Sequence, residues 1–144
     1  MASIHKDIPI DAAPAEVWSA LRDFGAVHRR LAPGFVLDAR LEGDARIVTF
    51  ANGTVARERL VDCDEARRRL VYSVVSERVS HHNASVQVVA EDEARCRLIW
   101  IVDVLPNEIA PYIDAQMDRA ALAMQEALAP SAKTETGFAS DRAR

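Results

Sequence analysis

Glu58 is the residue of this sequence whose type and setting most suggest chemistry. If residues 55–60 form a strand, alternation puts Glu58 and Leu60 on one face and Arg57 and Arg59 on the other. A carboxylate that faces an apolar interior is costly, or takes up a proton, unless it has a partner. Two interpretations stay open: Glu58 faces a ligand pocket, or it forms a cross-strand ion pair with an arginine. It is the one candidate catalytic residue, and whether it acts in catalysis stays undecided.

Two aromatic side chains could form the wall of such a pocket. Tyr72 shares a strand face with Leu70 and Val74, and its hydroxyl needs a hydrogen-bond partner if it is buried. Trp100 falls on one face of a later strand together with Leu98. Each ring fits an ordinary packed core equally well, so Tyr72, Val74 and Trp100 contact a ligand only if the interior is hollow.

The stretch after residue 82 alternates polar and apolar side chains. Asn83, Ser85 and Gln87 fall on one face, whereas an alanine and two valines fall on the other. Taken alone, this pattern favours a polar face in solvent and an apolar face in the core.

Adjacent histidines precede that stretch. His81 and His82 point in different directions along an extended chain, and no third ligand with suitable spacing accompanies them. They are predicted to lie in a surface loop; the alternative is a lid over a pocket mouth, with His82 as an acid or base. The sequence therefore predicts no metal ion and no cofactor.

Charge limits the class of partner. The 144 residues carry a net charge of −4 with both signs scattered along the chain. The one basic run, residues 67–69, fits a solvated turn between strands. A chain without a basic face is a poor binder of nucleic acid, so that class of partner is excluded.

The length of the chain, its cysteines and its N-terminus indicate the number of domains and the cellular compartment. A chain of this length suits one domain, predicted at residues 1–130, with residues 131–144 as a disordered tail. The N-terminus lacks the apolar run of a signal peptide, and no apolar stretch is long enough to span a bilayer. Cys63 and Cys96 lack CxxC spacing and read as reduced thiols, so a cytoplasmic protein is expected.

Hydrophobic patterning indicates the elements that must position these side chains. Residues 4–10 are typical of a strand, Pro14 is preset in φ for the start of a helix, and residues 26–31 predict a second short helix. Short runs rich in Val, Ile and aromatic residues then alternate with turns, of which Asn52–Gly53 is the strongest signal. The predicted strands of this antiparallel meander are residues 35–37, 46–50, 55–62, 70–75, 85–90 and 96–104.

The C-terminal part predicts a long amphipathic helix. Apolar residues recur with the helical period over residues 109–128. A helix of this length spans roughly 30 Å, as a ten-residue strand does, so it can cover one face of the sheet. Met117, Ala121 and Met124 lie on the face toward the sheet, where methionines and small alanines suit either a pocket or an ordinary core.

Local motifs occur in a consistent order along the chain. They are Pro-x-x-Val-Trp at residues 14–18, Glu-Arg-Leu at residues 58–60, Leu-Ile-Trp at residues 98–100 and the closing helix at residues 117–128. Together with the element order, they resemble the START-like superfamily, also called the SRPBCC or polyketide cyclase/dehydrase and lipid-transport family, over residues 3–129. The resemblance implies an α+β helix-grip fold. In that fold a curved antiparallel sheet of about seven strands surrounds a long C-terminal helix, and two short helices follow the first strand.

The resemblance also implies a cavity between sheet and helix, with a hydrophobic small molecule as the partner. Glu58 matches a pocket position of the family's receptors. Comparison with those receptors puts Asn83, Ser85 and Gln87 in the cavity, opposite to the plain strand pattern. The predicted ligand contacts are Glu58, Leu60, Tyr72, Val74, Asn83, Ser85, Gln87, Trp100, Met117, Ala121 and Met124.

Three functions fit these features. The preferred one is a binding or carrier protein for a hydrophobic or amphipathic small molecule, such as a lipid, a polyketide or an aromatic metabolite. The second is a cofactor-free cyclase or dehydratase in which Glu58, with Tyr72 or His82, moves protons. The third is an interaction protein with a packed interior that forms a homodimer through a sheet face marked by Ile99 and Ile101.

Overall fold

The computed structural model describes residues 1–129, and the predicted tail at residues 131–144 lies outside the described residues. The α+β helix-grip fold predicted from the sequence is confirmed. No helix within residues 1–129 combines the length and the apolar character needed to cross a membrane. In chain order the elements are β1 (Ala2–Ile10), α1 (Pro14–Arg22), a 3₁₀ turn (Phe24–Ala26), a wide helical turn (Val27–Leu31), β2 (Val36–Glu42), β3 (Ala45–Phe50), β4 (Val55–Asp64), β5 (Arg69–Val75), β6 (His81–Ala90), β7 (Cys96–Leu105), a second 3₁₀ turn (Asn107–Ile109) and α2 (Ala110–Leu128).

The seven strands form one antiparallel sheet in the order β1-β7-β6-β5-β4-β3-β2. Strands β2 to β7 neighbour one another in chain order because short turns connect them. Gly43 and Gly53 occupy the β2–β3 and β3–β4 turns at φ values of +63° and +88°, where glycine has no steric penalty. The first strand returns to pair with the last, from Ala2 opposite Val104 to Ile10 opposite Cys96.

The sheet bends around its helix. The pairing register shifts between Val36 and Asp38 in β2 and between Leu60 and Asp62 in β4. Such bulges bend a strand and increase its twist. The sheet therefore has a concave face that can cover α2, and a convex outer face.

Helix α2 lies against the concave face. Pro111 stands in its first turn, where the missing N–H costs nothing, and the buried stripe is Met117, Ala120, Met124 and Leu128. Lys6 of β1 forms ion pairs with Asp114 and Asp118, and so joins the sheet edge to the helix.

The sixth strand is longer than the sequence pattern predicts. It begins at His81, because His81 lies opposite Leu105 and His82 lies opposite Val104 in β7. The prediction of a surface loop for these histidines is wrong, since β7 supplies them with strand partners. His81 points outward and is exposed, whereas His82 points inward and is buried.

Candidate functional site

A cavity of about 190 Å³ lies between the concave face of the sheet and α2. Its wall is mostly apolar, with side chains such as Val48, Leu70, Val86 and Val102 from the sheet. The helix contributes Ile113, Gln116, Met117, Ala120 and Met124.

One end of the cavity opens to solvent. The lining residues Val55, Ser76, Arg78 and Tyr112 are exposed, and they come from the start of β4, the β5–β6 connection and the start of α2. At this end the amide of Asn52 donates a hydrogen bond of 3.0 Å to the Tyr112 hydroxyl. The β3–β4 turn is thereby joined to α2 beside the mouth.

An ion pair between Arg46 and Glu58 is buried in the cavity wall. The two residues lie directly opposite each other on β3 and β4, and Arg46 Nε donates to Glu58 Oε1 over 2.8 Å. Their exposed fractions are 5% and 7%. Both interpretations of Glu58 thus hold at once, because the carboxylate lines the cavity and pairs with a cross-strand arginine.

Further contacts hold the Arg46 guanidinium in place. Its Nη1 donates to the carbonyl oxygen of Phe24 over 3.1 Å, and its Cζ lies 4.0 Å from the centre of the Phe24 ring. The same Cζ lies 5.3 Å from the centre of the Tyr72 ring. A planar cation stacked on aromatic faces suits this role better than an ammonium would.

The Tyr72 ring belongs to the same polar cluster and is buried. Burial raises the pKa of its hydroxyl, and the negative charge of Glu58 raises it further. Arg46 and the Trp100 N–H oppose this rise in pKa without reversing it. The Tyr72 hydroxyl therefore stays protonated at neutral pH and can donate a hydrogen bond.

Trp100 lies beside Tyr72 and lines the same cavity, with an exposed fraction of 8%. Its indole N–H is near enough to the Tyr72 hydroxyl to lower the pKa of that group slightly. No atom of residues 1–129, however, accepts a hydrogen bond from Nε1 with full geometry. Buried polar groups without a partner are uncommon, so this donor needs an explanation.

His82 completes the cluster. Its Nδ1 accepts a hydrogen bond of 3.1 Å from the Val74 N–H, which leaves the proton of the neutral ring on Nε2. Burial lowers the pKa of His82, and the charge of Glu58 only partly offsets this effect. The imidazole is therefore neutral at neutral pH, with one donor at Nε2.

Six of the predicted ligand contacts line the cavity, and five do not. Leu60 lies two pairs beyond Glu58, next to the bulge of β4, and packs half-buried against the core. Ala121 is turned away from the cavity, because the helix presents Ala120 there instead. The six that line it are Glu58, Tyr72, Val74, Trp100, Met117 and Met124.

The prediction that Asn83, Ser85 and Gln87 line the cavity is wrong. Their inward-facing neighbours on β6 are buried, and the three polar side chains lie on the convex face. Gln87 donates there to the carbonyl oxygen of Arg67 over 3.1 Å. The plain strand pattern was correct, and the comparison with receptors misplaced the register by one residue.

Sequence reasoning missed Arg46 as a member of the site. The turn signal points one residue away, because a two-residue turn at Asn52–Gly53 would place Arg46 opposite Arg59. In the structure Thr49 pairs with Val55, and Arg46 therefore lies opposite Glu58. No group of three or more His, Cys, Asp or Glu side chains within residues 1–129 is arranged to hold a metal ion.

The sequence matches one protein family over residues 1–132, described as polyketide cyclase/dehydrase and lipid transport. The chain belongs to this family. No curated protein is detectably similar to it in sequence. The family assignment agrees with the fold and leaves the ligand open.

Solved structures share the fold of this family member. A Thermobifida fusca protein is 29% identical with a TM-score of 0.72, and the match covers 89% of this chain and 91% of that one. The truncated norcoclaurine synthase of Thalictrum flavum is 17% identical with a TM-score of 0.70, covering 87% and 91%. A START superfamily protein of Mycobacterium smegmatis is 12% identical with a TM-score of 0.70, covering 92% and 97%.

Proposed function

We propose that this protein binds a hydrophobic or amphipathic small molecule in the cavity beneath α2. The observation that carries the proposal is the mostly apolar wall of that cavity, in which Arg46, Glu58, Tyr72 and His82 form a polar cluster. Apolar burial supplies most of the binding free energy, at about 25 cal/mol per Å², and the polar cluster orients the ligand.

The cavity volume bounds the ligand. A buried apolar cavity of about 150 Å³ in another protein stays dry and binds benzene. The 190 Å³ here therefore suits a molecule with one ring or a short branched chain. A longer lipid or polyketide has to extend through the mouth near Tyr112 and Arg78.

Native mass spectrometry of the freshly purified protein tests the proposal. An excess mass lost on denaturation is the expected result, and it identifies the chemical class of the ligand. The variant Ala120→Leu extends a side chain into the cavity and should lose the excess mass. The matched variant Ala115→Leu lies on the exposed face of α2 and should retain it.

Toluene binding tests the proposed function if the protein is purified without a ligand. Toluene is added, and its binding is followed by ligand-observed NMR. Equal toluene binding by Ala120→Leu and Ala115→Leu, or none by the unmodified protein, contradicts the proposal. Thermal melting shows whether each variant is folded.

A cyclase or dehydratase is the second candidate, because Glu58, Tyr72 and His82 meet at one end of the cavity. The first proposal is preferred because the Glu58 carboxylate is held by the Arg46 guanidinium at 2.8 Å. The Oε1 atom of this carboxylate is therefore occupied by a protein donor rather than left for a substrate. Full turnover by Glu58→Gln on a substrate identified by mass spectrometry excludes Glu58 as the acid or base.

The third candidate, an interaction protein with a packed interior, is disfavoured by the cavity. Dimerisation through the outer face is a separate matter, and Ile99 and Ile101 are partly exposed there. Sedimentation velocity over a hundredfold range of concentration tests it. A single monomer species throughout removes this candidate.

A further inference from the structure

Three hydrogen-bond donors meet at the polar end of the cavity. The Trp100 indole N–H is buried without a full hydrogen bond, the Tyr72 hydroxyl is protonated, and His82 presents its proton on Nε2. The Tyr72 and His82 ring centres are 6.1 Å apart. The Glu58 carboxylate, the acceptor among these groups, is already engaged by Arg46.

The same end of the cavity has no net charge. Arg46 and Glu58 cancel each other, and His82 is neutral because burial lowers its pKa. An anion placed beside this pair is desolvated while the guanidinium is already paired with Glu58, and that is costly. A neutral ligand with an oxygen acceptor instead satisfies a donor at no electrostatic cost.

We propose that Tyr72 donates a hydrogen bond to a neutral carbonyl oxygen of the ligand, with the Trp100 N–H as a second donor to the same oxygen. The proposal rests on the proposed function, since it names the ligand class of the same cavity. Both side chains line the cavity, and the Trp100 N–H is buried with no acceptor within residues 1–129, so a ligand oxygen would supply the partner that it lacks. A site built in this way rejects an analogue that lacks the acceptor.

Three one-ring probes of similar shape separate the alternatives. Acetophenone carries the carbonyl, ethylbenzene lacks the oxygen, and benzoate carries an anion. Dissociation constants are measured by ligand-observed NMR at pH 7.5 for the unmodified protein and for the variants Tyr72→Phe, Trp100→Phe and Met124→Leu. Ethylbenzene is less soluble in water than acetophenone, and this alone favours its binding to any apolar cavity. The decisive quantity is therefore the dissociation constant of ethylbenzene divided by that of acetophenone, compared between the unmodified protein and each variant.

The ratio should fall about 3- to 10-fold in Tyr72→Phe, which is the usual effect of losing one hydrogen bond. Met124→Leu alters an apolar wall residue and should leave the ratio unchanged. Benzoate should bind more weakly than acetophenone. Acetophenone labelled with ¹³C at the carbonyl should show a downfield shift on binding, which Tyr72→Phe and Trp100→Phe each reduce.

Distinct results overturn distinct claims. If ethylbenzene and acetophenone both bind and Tyr72→Phe leaves their ratio and the ¹³C shift unchanged, the carbonyl contact is wrong and the proposed function survives. Tighter binding of benzoate than of acetophenone overturns the preference for a neutral ligand. If none of the three probes binds the unmodified protein, both proposals fail.

Discussion

At the scale of single residues, the buried pair of Arg46 and Glu58 dominates the interior. Two charges removed from water are stable only when geometry and further hydrogen bonds compensate the lost hydration. Here the Phe24 carbonyl accepts a hydrogen bond from the guanidinium, and the rings of Phe24 and Tyr72 lie close to the guanidinium carbon. The pair thereby fixes the hairpin of β3 and β4 and also gives the cavity its polar end.

Breaking this pair from one side should be costly. Arg46→Met leaves the Glu58 carboxylate buried without a partner, and we expect a loss of about 3–5 kcal/mol in the free energy of unfolding. The double variant Arg46→Met with Glu58→Leu removes both charges and should recover most of that loss. Urea unfolding at pH 7 measures both variants, and additive losses in the double variant contradict the ion-pair explanation.

His82 should make stability depend on pH. Its pKa in the folded protein lies below the ordinary value of 6.5, so the unfolded chain binds more protons in that range. Stability should therefore fall as the pH drops from about 7.5 to 5.5, by at most about 1.4 kcal/mol per pH unit.

The variant His82→Asn isolates this effect. The asparagine Oδ1 is bonded to Cγ, as the His82 Nδ1 is, so it can still accept the hydrogen bond from the Val74 N–H, but it does not titrate. All other titrating groups, including Glu58 and His81, are common to both proteins. Urea midpoints that fall equally with pH in both proteins show that His82 is not responsible.

At the scale of elements, the position of α2 depends on a link to the edge of the sheet. The Lys6 ammonium contacts Asp114, and it lies 2.8 Å from Asp118 Oδ1, one helical turn further on. Both carboxylates raise the pKa of Lys6, chiefly through hydrogen bonds. A single side chain of β1 thus holds two successive turns of the helix that forms the roof of the cavity.

Replacing Lys6 by methionine should lower the free energy of unfolding by about 1 kcal/mol, since partly exposed pairs contribute little each. The loss should shrink in 1 M NaCl, where the Debye length falls to about 3 Å. Arg40→Met is the control, because Arg40 pairs with Glu42 of its own strand and joins no two elements. A loss that is the same at both salt concentrations assigns the role of Lys6 to packing instead.

The elements were largely predictable from the sequence, because each strand carries its own alternation and each turn its own residues. Asn52–Gly53 and Pro14 predicted a hairpin and a helix start that the structure contains. The start of β6 was not predictable in this way. His81 and His82 are both polar, so their strand depends on partners in β7 rather than on a local pattern.

The site was predictable only in part, because some of its features depend on tertiary packing rather than on a local sequence pattern. Alternation places Glu58, Tyr72 and Trp100 on inward faces, and these residues do meet around the cavity. Which helical residue faces the cavity depends on the rotation of α2, and a periodic pattern does not distinguish Ala120 from Ala121. The space itself comes from the curvature of the sheet, which no single residue encodes.

At the scale of the whole molecule, the cavity reduces stability. Residues around unfilled space lose contacts that a packed core would have. Filling such space is a common route to greater stability, and it removes the room that a ligand needs.

Two variants on one strand test whether the space is present. Val86 lines the cavity, and Val88 lies two residues further on the same face of β6 but outside the cavity; both are buried. Val86→Ile should raise the free energy of unfolding by about 0.5–1 kcal/mol and weaken binding of a one-ring probe. Val88→Ile should lower it by about 1 kcal/mol, because it overfills a packed region. Thermal and urea unfolding measure both variants. If Val86→Ile is less stable than Val88→Ile, the interior around Val86 is filled rather than hollow.

The pairing of β1 with β7 has a consequence for how the chain is made. Ile10 pairs with Cys96, the first residue of β7, and Ala2 pairs with Val104, near the end of that strand. A chain that grows at roughly 5–20 residues per second has its first strand outside the ribosome on the order of ten seconds before β7 exists. During synthesis the inward side chains Ile8 and Ile10 are therefore exposed until β7 is available to pair with β1, and they can contact apolar surfaces of other proteins. Strand β1 is synthesised before its partner and pairs only afterwards, so the sheet is completed only once β7 has been translated.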